Sequence, residues 1–156
     1  MPHIRTAAAL LGDFDPAFPD ERGLGPEDDR VPGRDLAELV AAGLREQGLG
    51  VDGPSCDEPF FVVSCRSGEV RYQVLCGLLE PKERDSVWIV ECPRTLGWWA
   101  RLRGRSEEAE LTRVVTALHE VFTASPRVRQ VRWFDDDVPP DAFEGTRGAG
   151  RPVGAG

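Results

Sequence analysis

The sequence predicts an α+β fold: an antiparallel sheet of four to five strands with two helices packed on one face, in the order (β)-α-β-β-β-α-β. Three observations carry this. Residues 35–47 and 107–123 space their apolar side chains as amphipathic helices do. Residues 59–79 alternate as two strands around a tight turn. Residues 86–92 and 128–134 are short runs rich in Val, Ile, Trp and Phe. The expected organisation is a single domain over 1–144, with an acidic loop over 13–33 and a disordered Gly-rich tail over 145–156.

Residues 4–11, with Ala7-Ala8-Ala9-Leu10-Leu11, are read as an extra edge strand. In the first helix Leu36, Leu39, Val40 and Leu44 share a face, and Gly48 is its natural stop. Gly43 lies on the apolar face, where glycine costs about 1 kcal/mol against alanine, so its expected use is to bring the helix backbone close to the sheet. The hairpin is expected to turn at Ser67-Gly68, pairing Arg66 with Glu69 and Cys65 with Val70. Matching apolar residues then sets Trp88 opposite Cys76 and Val90 opposite Val74.

Alternation gives this sheet two faces. Phe61, Val63, Cys65, Val70, Tyr72, Val74, Cys76, Trp88, Val90 and Cys92 form the core side. The other side carries Phe60, Val62, Leu75 and Ile89 among polar residues, with Phe60, Leu75 and Ile89 in one row. This is a half-exposed sheet face or a homodimer surface. In the second helix Leu111, Val114, Val115, Leu118, Val121 and Phe122 form the stripe.

Several function classes have little to build on. No apolar run approaches the ~20 residues of a membrane helix, and a cytoplasmic location is expected. Cys56, Cys65, Cys76 and Cys92 lack Cys-x-x-Cys spacing, and His3 and His119 are the only histidines, so no metal site is expected. No nucleotide-binding glycine fingerprint occurs, and no cofactor is expected. No catalytic residue is assigned. The enzyme alternative would use His119, at the edge of the second helix's stripe, or the acidic run Asp135-Asp136-Asp137.

One segment stands apart. In a chain of net charge -8, the stretch CPRTLGWWARLRGR at 92–105 sets Trp98 and Trp99 among Arg94, Arg101, Arg103 and Arg105. Adjacent tryptophans cannot both fill one core pocket. The bland reading has one plugging the sheet end while the arginines pair with the acidic loop. The functional reading makes Trp98, Trp99, Arg101, Arg103 and Arg105 a contact surface for a protein, since Trp and Arg are enriched at binding hot spots. Stacking on single-stranded nucleic acid is the lesser alternative, because the overall acidity opposes a nucleic acid.

In element order, size and acidity the chain is loosely similar to two groups. One is the small cytoplasmic immunity proteins that neutralise bacterial toxins; the other is the acidic dimeric chaperones of bacterial secretion systems. The chaperone pattern wants a further strand and helix after Phe134, where this chain has Asp135-Asp136-Asp137-Val138-Pro139-Pro140 and glycines. The leading expectation is therefore a non-enzymatic protein-binding module, immunity-like. The alternatives are a secretion-chaperone-like or self-associating adaptor, dimerising through Phe60, Val62, Leu75 and Ile89, and the small enzyme above.

Overall fold

The computed structural model describes residues 3–16, 31–93, 105–135, 137–145 and 148–154, with the side chains of 105–107 not described. Its elements are β1 (His3–Ile4), β2 (Ala7–Gly12), α1 (Arg34–Glu46), β3 (Gly50–Asp57), β4 (Phe60–Ser67), β5 (Val70–Glu80), β6 (Ser86–Glu91), α2 (Arg105–Ala124), β7 (Val128–Phe134) and β8 (Val153–Gly154). The fold is α+β, with two helices and a six-stranded sheet of order β3-β4-β5-β6-β2-β7, every pairing antiparallel. A two-stranded sheet pairs β1 with β8.

Both helices cover one face. The residues expected on the core side are buried there, except Val70, which is half-buried, and the α2 stripe is buried in full. Gly43 serves a different contact from the one its sequence suggests. A Cβ on it would lie 2.4 Å from Val121 of α2, so the missing side chain lets helix meet helix rather than helix meet sheet. Gly48 ends α1 in the left-handed region at φ 85°, and Leu49 N–H closes back onto Leu44 O at 3.1 Å.

Three elements depart from the expectations. The strand β2 is not at the edge; it lies between β6 and β7 and is buried on both faces. Its apolar run is that of a central strand, and its alanines are small because both sides are occupied. Strand β3 forms an edge, over a stretch where no element is expected. Its bulge between Asp52 and Ser55, over Gly53 and Pro54, breaks the alternation that would announce it. The segment expected as a disordered tail carries β8, and Ala149 exchanges both backbone hydrogen bonds with Trp133 at 2.8 and 2.9 Å. Main-chain pairing, which composition does not encode, accounts for this.

Both hairpin registers are also two residues from expectation. Ser67 pairs with Val70, Cys65 with Tyr72, and Phe61 with Cys76; across the next pair, Cys76 meets Val90 and Leu78 meets Trp88. The turn is Gly68-Glu69, with glycine at the first central position and φ 61°. A shift of two preserves which face each side chain takes, so the core assignment survives. Apolar matching cannot resolve it, since either register sets core residues opposite core residues.

Candidate functional site

The correct register changes the meaning of the β4–β5 hairpin. Arg66 lies opposite Arg71, not Glu69, so an expected attractive pair is replaced by two like charges on the face away from the helices. Directly opposite residues hold their Cβ atoms about 4.5–5.5 Å apart, where like charges repel. Both arginines are exposed, and neither side chain makes an ion pair or hydrogen bond among the described residues.

These arginines line a groove of about 730 Å³ across β3, β4 and β5, together with Asp52, Ser64, Gln73 and Leu75. Pro93, which follows β6, also lines it. Residues 94–104, including Trp98, Trp99, Arg101 and Arg103, lie outside the described residues. Arg105 is the first residue of α2, with its side chain outside them too. Both anchors of the segment are nonetheless placed. It leaves from Pro93 on the groove and re-enters the fold at α2, where Glu110 accepts a hydrogen bond from the Ser67 hydroxyl at the hairpin's end.

His119 and Asp135, two residues of the enzyme alternative, are each bonded to another side chain. His119 sits on α2, where the indole N–H of fully buried Trp133 donates to its Nδ1 at 3.2 Å. An indole is a donor only, so the imidazole is neutral with its proton on Nε2. Burial, and then the positive charge of Arg151, hold its pKa below the usual histidine range, with Glu120 opposing. Asp135 is bonded to His3, and Asp136 lies outside the described residues. Glu91 is raised by burial and by the negative charge of Asp137.

All four cysteines are free thiols. Burial pushes Cys65 up to about 11 and Cys76 up to about 12, and raises Cys92 as well, so these three stay protonated and poorly nucleophilic. Among the described residues no group of three His, Cys, Asp or Glu side chains is placed to hold a metal ion. No helix among them is long and apolar enough to cross a membrane.

On the outer face, Phe60, Leu75 and Ile89 do not form one row. Phe60 lies over Gly77, which pairs with Ile89, while Leu75 sits between Val62 and Glu91. Val62 is buried, which leaves Phe60, Leu75 and Ile89 half-buried as the accessible apolar residues of that set. Near β7 the same face is covered by the chain itself. Arg132 donates to Ala142 O at 3.1 Å and Gly145 O at 3.0 Å, and its guanidinium lies 5.3 Å above the Phe143 ring.

Sequence reasoning missed Arg66 and Arg71. Two-residue turns take glycine second in type I′ and first in type II′, so Gly68 alone leaves Ser67-Gly68 and Gly68-Glu69 both open; the observed Gly68-Glu69 turn sets the arginines opposite each other. Compared with known proteins, the chain matches no family model, no curated protein and no solved structure.

Proposed function

We propose that the protein is a non-enzymatic binding module for a protein partner, acting as a small cytoplasmic immunity protein does, by covering part of its target. The contact residues are Trp98, Trp99, Arg101, Arg103 and Arg105.

The observation that carries this reading is the pair of anchors. The segment departs from Pro93, which lines one groove with Arg66 and Arg71, two arginines without an ion pair among the described residues, and returns at the helix whose Glu110 is tied to the same hairpin. In sequence, four arginines fall in the segment and two in the hairpin of a chain whose net charge is -8. A local cationic, aromatic surface on an acidic protein is suited to steering and seating an acidic partner. The side chains nearest to catalytic chemistry are engaged otherwise: His119 accepts from Trp133, and three thiols are held protonated by burial.

Trp98→Ala/Trp99→Ala is the test. Hot-spot aromatics each contribute about 2 kcal/mol or more, so the double variant is expected to lose a partner that the wild type retains in a pull-down from lysate of the source organism. Circular dichroism of both proteins checks that they fold. Retention of the same partner by the folded variant would contradict the reading.

A further inference from the structure

The groove itself has an order that the partner-binding reading does not use. Three cross-strand rows follow one another along its floor. Gly50, Arg66 and Arg71 form the first; Asp52, Ser64 and Gln73 form the second; Val62 and Leu75 continue the third. Alternate residues of a strand recur about 6.8 Å apart, so the cationic row lies about 13 Å from the apolar one. A Cβ at Gly50 would stand 3.6 Å from Arg66 Cβ, so glycine there keeps one flank of the first row open. At the far end Glu91 pairs with Leu75, which makes that end unfavourable for an anion.

We propose that this groove binds a small amphipathic carboxylate. The carboxylate lies on Arg66 and Arg71, an amide or similar polar centre on Ser64, Gln73 and Asp52, and an apolar end against Leu75. This goes beyond the partner-binding reading and does not depend on it.

The groove and such a ligand are complementary in size, charge and polarity. The cavity of about 730 Å³ falls within the roughly 300–1,000 Å³ of small-molecule sites. Two guanidiniums held opposite each other repel when empty-handed, and a carboxylate between them turns that repulsion into charge-assisted hydrogen bonds. Ser64 and Gln73 offer both donors and acceptors to an amide, while Asp52 favours its N–H and disfavours a second negative charge. Glu91 fixes the direction, with the carboxylate toward the hairpin turn.

N-octanoylglycine is the probe, because it carries a carboxylate, an amide and an apolar tail in that order. Titrated at millimolar concentration into the full chain, it is expected to shift the amide resonances of Arg66, Arg71 and Gln73. The Arg66→Gln/Arg71→Gln variant, whose changes are at exposed positions, is expected to bind it about tenfold more weakly or worse, as is the wild type its uncharged methylamide. Inorganic phosphate, an anion without a tail, is expected to perturb the arginines with lower affinity. No perturbation by the acylglycine, equal binding by the folded double variant, or phosphate binding as tightly as the acylglycine would each overturn the proposal. None of these outcomes touches the Trp98 and Trp99 test.

Discussion

Replacing Trp133 with alanine is expected to cost about 3–5 kcal/mol, enough to bring a domain of ordinary stability, about 5–15 kcal/mol, close to unfolding. Trp133 is fully buried on β7, with ring centroids 6.3 Å from both Phe122 and His119. Its indole N–H is satisfied by His119, and its backbone pairs with Ala149. The side chain therefore joins the sheet to α2, and the cavity left by alanine opens between them. Trp133→Phe keeps most of the apolar volume and is expected to cost clearly less. Urea unfolding followed by circular dichroism measures both. A Trp133→Ala protein within about 1 kcal/mol of wild type would refute the packing described here.

Stability is expected to fall as the pH drops below neutrality, with His119 carrying a distinct part of the loss. Protonating His119 removes the acceptor of the Trp133 indole and sets a positive charge near Arg151. The depressed folded-state pKa sets the sign: the unfolded chain binds this proton more readily, so the contribution is complete above about pH 6.5 and is lost as the pH falls through the lower folded value. A fully buried donor without its partner costs about 1–3 kcal/mol, and because His119 is only part-buried and solvent screens its charge, the loss is expected at or below the low end of that range. His119→Gln, with an amide oxygen in place of Nδ1, is expected to lose less stability between pH 7.5 and pH 5 than wild type does. Carboxylates elsewhere titrate in both proteins and drop out of the comparison. Parallel pH profiles for the two proteins would exclude this role.

Much of the fold was legible because periodicity is a local signal. Both helices and strands β4 to β7 lie where apolar spacing predicted them, and face assignments held even where registers slipped, since a two-residue slip leaves alternation intact. What was illegible depends on partners distant in sequence. Nothing in Ala7-Ala8-Ala9 says that β6 lies on one side and β7 on the other. Gly50, Gly53 and Pro54 conceal β3, and the strand at Val153–Gly154 exists by pairing with His3–Ile4 across the length of the chain.

The candidate site was half visible for a related reason. The Trp-Arg composition of 93–105 identifies itself, because composition is a property of one segment. The Arg66–Arg71 pair depends on a register, and a turn expected at Ser67-Gly68 pairs Arg66 with Glu69, whereas the turn at Gly68-Glu69 pairs it with Arg71. Gly43 shows the same limit: its sequence says that something approaches closely, and only the tertiary structure identifies Val121.

Hydrogen–deuterium exchange of the chain, alone and bound to the partner it captures, tests the central claim most directly. The account predicts slowed exchange concentrated in peptides covering 93–105, the span carrying Trp98, Trp99, Arg101, Arg103 and Arg105. Protection confined to another surface, such as the outer face at Phe60 and Ile89, with 93–105 unchanged, would contradict it.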